Sequence, residues 1–199
     1  MTEHSKPIRY GATINPSPEY AEAISQGTYF NNTAQQLMKI SRYEEAERLH
    51  KQAIEIKERG LGKDHITTAL SYNAIGETYI QMKRLDDAEM YLQKALNIRE
   101  ASPRAMDEID AAVTRENLAV VYEMRGDLPR ARQLRRVGSP NNMLCAHSNC
   151  ELYNVKRSNL LQCGGCKSIY YCGRECQSKD WKRHKKYCKR TAAAEGLEA

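Results

Sequence analysis

Between Thr28 and Arg136, apolar residues return every three to four positions, the spacing of a helix that buries one face. The pattern itself also returns. Tyr43-Glu-Glu-Ala46 lies 42 residues before Leu85-Asp-Asp-Ala88. Ala46, Leu49, Ala53 and Ile56 share one helical face, and the same step leads to Ala88, Tyr91, Ala95 and Ile98. Upstream of each face, Ala34 and Leu37 correspond to Gly76 and Tyr79. A further 43 residues on come Ala119, Tyr122, Ala131 and Leu134. A small–large apolar code at a fixed period predicts stacked helical hairpins, with small residues where paired helices approach and large ones between hairpins.

Local signals punctuate this pattern. Ser41-x-x-Glu44 predicts a capping box at the start of the first hairpin's second helix. Gly60 and Gly62 predict its end, and Pro103 falls between the second and third hairpins. Gly126, Asp127 and Pro129 predict a turn with proline in the first turn of the next helix. That last helix is expected to be short, because Gly138 stands where earlier hairpins have alanine and Pro140 follows. The third hairpin is therefore a candidate cap against whatever comes next. Residues 1–26, with Pro7, Pro16 and Pro18, read as a flexible segment holding a short helix near Tyr20–Ser25.

Asn31 and Asn73 occupy matching positions on the first helices, with Asn117 one place on. Their amides suit either an extended peptide backbone or partners inside the fold. The hairpins resemble tetratricopeptide repeats. Leu61-Gly-Lys-Asp-His65 followed by Leu70-Ser-Tyr-Asn-Ala-Ile-Gly-Glu-Thr-Tyr79 is similar to the longer variant in kinesin light chains. The resemblance implies about two and a half repeats over residues 27–138, with a peptide-binding concave face lined by the first helices.

Composition changes the picture only at the C-terminal end. All seven cysteines of this 199-residue chain lie between Cys145 and Cys188. Cys145-x4-Cys150, Cys163-x2-Cys166, Cys172-x3-Cys176 and His184-x3-Cys188 make four short-spaced pairs. Eight soft ligands suit two closed tetrahedral Zn²⁺ sites, with no open position for catalysis. His184 and Cys188 fall on one side of a helix predicted over Asp180–Cys188, with Trp181 on the same edge. The opposite face carries Lys182, Lys185, Lys186 and Lys189. Too few large apolar groups are present to hold this segment by burial alone, so metal binding is expected to decide whether it folds. Spacing leaves open which pairs share an ion, and His147-x2-Cys150 offers a rival to Cys145.

Tyr171-Cys-Gly-Arg-Glu-Cys-Gln177 followed by Asp180-Trp-Lys-Arg-His-Lys-Lys-Tyr-Cys188 resembles the MYND finger. The resemblance implies interleaved sites, with Cys145, Cys150, Cys172 and Cys176 on one zinc and Cys163, Cys166, His184 and Cys188 on the other. It also implies a peptide-binding role along a strand edge beside the second cysteine pair, at Gln177, Trp181 and Gly164. The expected architecture is mainly α: the repeat stack, a linker at 139–144, a two-zinc cross-brace finger at 145–188 and a flexible tail at 189–199.

The expected function is a protein–protein adaptor without catalysis. The finger takes short peptides, proline-rich segments among them, and the repeats hold a second partner. The alternative is nucleic-acid association through the basic face. The segment 145–190 carries a formal charge of +8 against −2 for the rest, but seven thiolates and two Zn²⁺ reduce the former to about +5. Its spacing is not that of a groove-reading finger, so specific nucleic-acid binding is not expected. No apolar run spans a bilayer and no secretory signal is present, so the expectation is an intracellular protein of cytoplasm or nucleus, without membrane partners.

Overall fold

The computed structural model describes residues 17–102, 105–137, 143–148, 150–151 and 155–195. Of residues 105–108 and 189–195 it describes the backbone alone. Pro7, Pro16, Pro103, Gly138 and Pro140 lie outside the described residues.

Six helices form three consecutive hairpins: α1 (Pro18–Lys39) with α2 (Tyr43–Leu61), α3 (Ile66–Gln81) with α4 (Leu85–Glu100), and α5 (Ala105–Arg125) with α6 (Leu128–Val137). Each helix packs on the next, and α3 also touches both α1 and α5. The first helices of the hairpins thus form one layer. The small positions of the repeat close the joints: Ala34, Ala46, Ala53, Ala88, Ala95, Ala119 and Ala131 are fully buried. At Gly76 a Cβ would meet the Leu92 side chain at 2.6 Å, so this joint needs glycine.

The turn inside each hairpin repeats as well. Ser41, Lys83 and Gly126 have φ of 60°, 61° and 88°, and the next residue's N–H reaches back to Leu37, Tyr79 and Tyr122. These are left-handed helix ends of the Schellman kind. The expected capping box is therefore not formed. Ser41 closes α1, α2 begins at Tyr43, and Arg42 sits at its cap without a side-chain cap bond. Gly62, with φ 95°, ends α2, whereas Gly60 lies inside the helix and admits α1: a Cβ there would meet Ala23 at 2.5 Å.

Helical boundaries differ from the sequence expectation at both ends. Ser17 caps Tyr20 N–H and Pro18 opens α1, so residues 18–26 are helical rather than flexible. The final helix, α7, runs Arg174–Glu195, beyond the expected span at each side and into the expected tail. The short last helix of the third hairpin is found as expected, with ten residues in α6 against 19 in α2.

Asn31 donates to Ser71 Oγ at 2.7 Å and faces His50 Nδ1 at 3.0 Å. One hairpin on, Asn73 Oδ1 accepts from Thr114 Oγ1 at 3.1 Å, and Asn117 donates to Glu77 at 2.9 Å. Of the two uses open to these amides, the internal one is the one observed. A second ladder links hairpins: Tyr79 Oη donates to Glu47 at 2.9 Å, and Tyr122 Oη donates to Glu89.

Lys57 lies under this surface, 1% exposed, with its stem over Gly27 and its ammonium donating to the Thr67 carbonyl at 3.3 Å. Burial brings its pKa down to about 8 from 10.5. The unfolded chain thus holds this proton more tightly, so the cost is full below pH 8 and fades as pH rises to the ordinary lysine value. Lys57→Met should therefore stabilise the protein by on the order of 2 kcal/mol at pH 7. Denaturant titration should show the gain shrinking towards nothing above about pH 10.5.

Candidate metal centre

Between α6 and α7 the described residues make little regular structure: a single antiparallel bridge between Met143 and Val155, a 3-10 turn at Arg157–Asn159, and a two-residue pair of strands. In that pair β1 (Leu161–Gln162) lies antiparallel to β2 (Tyr170–Tyr171). Ala146 N–H adds to the Tyr170 carbonyl at 2.9 Å. The turn between the strands carries Cys163 and Cys166. Lys167, at φ 53°, bends the chain so that Lys167 N–H returns to the Cys163 carbonyl at 3.0 Å. Gly165 is required here, because a Cβ would stand 2.8 Å from Cys188 Sγ.

Cys145, Cys150, Cys172 and Cys176 converge, and so do Cys163, Cys166, His184 and Cys188. Within each set the ligand atoms lie within 4.8 Å of one another. The distances fit zinc. Tetrahedral Zn–S bonds of roughly 2.3 Å and Zn–N bonds of about 2.0 Å require edges of about 3.8 Å between sulfurs and about 3.5 Å from sulfur to nitrogen. Cys150 and Cys172 sulfurs are 3.7 Å apart, Cys163 and Cys188 sulfurs 3.9 Å, and Cys166 Sγ and His184 Nε2 3.4 Å. All seven thiols are free of disulfides. The interleaved sets are the ones brought together, and sequential pairing is ruled out. His147 stays outside the four-sulfur set; its main-chain N–H instead favours the Cys145 thiolate.

Burial pushes the Cys145 thiol up to about 11 and the Cys188 thiol up to about 12. Burial acts the same way at Cys163, but the N–H groups of Cys166 and Gly165, with His184, bring that thiol to about 7. A divalent cation supplies what the Cys145 and Cys188 thiols lack, so binding must release protons. Each set would hold one Zn²⁺ as a closed, structural ion.

The finger's own core is small and includes the ligands themselves. Cys145, Ala146, Cys163, Cys166, Ile169, Tyr171 and Cys188 cluster with Leu128 of α6. Tyr171 Oη donates to buried Asp180 at 2.8 Å, and Arg183 grips the same carboxylate with two bonds of 2.7 Å. That triangle fixes α7 against β2. Trp181 sets its ring edge-on to His184, centroids 5.9 Å apart, yet stays 40% exposed. Gly164 is exposed, with nothing within 4 Å of where a Cβ would stand, and Gln177 is half-buried on the first turns of α7.

The MYND finger family matches residues 145–188, and the tetratricopeptide repeat family matches residues 25–101. Residues 145–188 are a MYND finger. The chain is similar to Egl nine homolog 1 of Mus musculus, 54% identical over 39 residues, which is 20% of this chain and 10% of that one. N-lysine methyltransferase SMYD2 of Homo sapiens is 42% identical over 41 residues, 21% of this chain and 10% of that one. The chain thus spans about a tenth of these relatives. The helical part is similar to the crystal structure of BtubC (BKLC) from P. vanneervenii: 29% identity, TM-score 0.55, covering 61% of this chain and 49% of that one.

Sequence reasoning found the MYND ligands but missed what joins the finger to the repeats. Arg132 of α6 donates to the Cys166 carbonyl at 3.1 Å, and Arg135 donates to the Ser168 carbonyl at 3.0 Å. Arg135 also binds both oxygens of Glu116 and one of Glu123. The third hairpin does cap the finger. Its shortness and its candidacy as a cap could be read beforehand, but not the residues that make the joint; a buried arginine looks like any other in a basic stretch.

Beside this joint lies a cleft of about 640 Å³. Its repeat side includes Met38, Ile80, Asn117 and Met124, and its finger side Leu144, His147 and Lys186. Among the described residues, no helix is long and apolar enough to cross a membrane.

Elemental analysis of purified protein should give two equivalents of zinc. Gly165→Ala, which drives a methyl group at a ligand sulfur, should release one equivalent to a competing chelator at least about tenfold more readily and spare the four-cysteine site.

Proposed function

We propose that this chain is a non-catalytic adaptor whose MYND finger takes a short, proline-rich peptide segment. The observation that carries the reading is the outer edge of β1. The sheet has two strands, so among the described residues β1 is paired on one side only. Leu161, 47% exposed, sits on that strand, and Gly164 follows it with open space at its α-carbon. A guest strand would gain backbone hydrogen bonds there, and the exposed Trp181 indole would give proline rings a flat apolar surface. Gln177 would supply a polar contact from the same helix.

The repeats would contribute through the cleft, where the first-helix layer faces the finger. An extended segment lying there would touch both modules at once, so two modest sites would act on one partner with raised avidity. Protein binding is the general use of both families, and the chain shares only about 40 residues with the methyltransferase. Cytoplasm or nucleus is the compartment this reading implies.

Lys182, Lys185 and Lys186 are exposed along α7 and favour a second, weaker reading as a phosphate-binding face. Oligonucleotide titration at two salt concentrations tests it: steep salt dependence without sequence preference is the expected result. For the main reading, immobilised full-length protein should capture proline-rich peptides. Trp181→Ala should weaken that capture about tenfold or more while zinc content stays at two. Undiminished capture would move the peptide site away from the finger.

A further inference from the structure

The His184 imidazole has two nitrogens, and each faces a different module. Nε2 stands 3.4 Å from Cys166 Sγ, at a tetrahedral edge of the metal set. Nδ1 points away from that set, 2.7 Å from Oε1 of Glu123 on α5. Glu123 is fully buried, 61 residues upstream in the repeats. Its other oxygen accepts from Arg135 at 2.9 Å and faces Arg183 at 3.4 Å. The carboxylate is thus held from two sides with one oxygen left for the histidine.

We propose that Glu123 is a positioning residue for the metal ligand His184, so that the second zinc site is built jointly by repeats and finger and clasps them together. The chemistry follows from the donor set. A neutral imidazole must carry its proton on one nitrogen to offer the other to a metal. Glu123 can only accept at Nδ1, which fixes the proton there and leaves the Nε2 lone pair for zinc. A carboxylate behind a ligating imidazole also raises its basicity and holds its plane, and losing such a partner typically costs about 10–100-fold in metal affinity. Here the partner belongs to the other module. Ordering of the site and docking of the third hairpin are therefore linked, because whatever stabilises one arrangement stabilises the other.

Trp181 and Tyr171 approach the His184 ring edge-on, at 5.9 and 6.4 Å between centroids, leaving the two nitrogens to set its direction. Arg132 and Arg135 reach the carbonyls of Cys166 and Ser168, so the same joint also fixes the knuckle that carries Cys166.

The test uses the full chain with Glu123→Gln, a variant of similar shape without the charge. Chelator competition should show one zinc equivalent loosened about 10–100-fold and the other unchanged. With cobalt in place of zinc, the absorption bands of the three-sulfur, one-nitrogen site should shift while those of the four-sulfur site stay. Arg125→Gln, which cuts ion pairs to Asp86 and Glu89 on α4 and leaves Glu123, Arg135 and the knuckle as they are, should lower the melting temperature without moving the cobalt bands. In the unmodified protein, chelation should raise amide exchange in α6 together with the finger. Two unchanged equivalents in Glu123→Gln, or an Arg125→Gln variant with the same spectral shift, would overturn the proposal. Should Glu123→Gln not fold, Glu123→Asp carries the same comparison: its shortened carboxylate should shift the same bands, and unshifted bands would count against the idea.

Discussion

A tetrahedral ion tolerates little error in the placing of its ligands, and the C-terminal part of this chain is organised around that demand. With sulfur–sulfur edges near 3.8 Å required, segments that share almost no regular structure must converge to within a bond length. The interleaving of the two sets ties them together. Cys145 and Cys150 belong with Cys172 and Cys176, while Cys163 and Cys166 belong with His184 and Cys188. Each site takes a ligand from α7, Cys176 in the first set and His184 with Cys188 in the second. Once α7 is in place, Asp180 meets Tyr171, and His184 presents its second nitrogen to the repeats.

That second nitrogen turns two modules into one body. The repeat stack would otherwise end on an unpaired apolar edge, the usual fate of the last unit in a solenoid. Here α6 stops after ten residues and the finger takes over the role of cap. Leu128 enters the finger's core, and the guanidinium groups of Arg132 and Arg135 satisfy carbonyls of the knuckle. The joint is largely polar and buried. Such an interface adds little net energy compared with an apolar one, but misplacing any member strands a charge, which favours a single relative orientation.

How much of this was legible depends on the range of the interaction. The metal ligands stood out because one turn supplies two of them, and short spacings survive in the sequence. The repeat was legible because small residues recur at the joints, and Ala46, Ala88 and Ala131 are indeed fully buried there. Ser41 misled because one residue cannot both close α1 at φ 60° and cap α2; the tighter turn prevailed. Glu123 left no local trace. It sits among Val121, Tyr122 and Met124 as one acid on a helix, and its partners His184, Arg183 and Arg135 lie far along the chain.

The fixed orientation bears on how a protein partner would be held. If repeats and finger swung on a free linker, binding at one would raise the local concentration of partner at the other only on average over many arrangements. A clasped pair presents the cleft lined by Met38, Ile80 and Leu144 and the open edge of β1 at set positions on one rigid surface. Partners whose two binding segments match that separation would gain the full advantage of linkage, and others would gain little. Selectivity would then come from geometry more than from the strength of either contact. The source of that geometry would be the buried carboxylate behind a zinc-binding histidine.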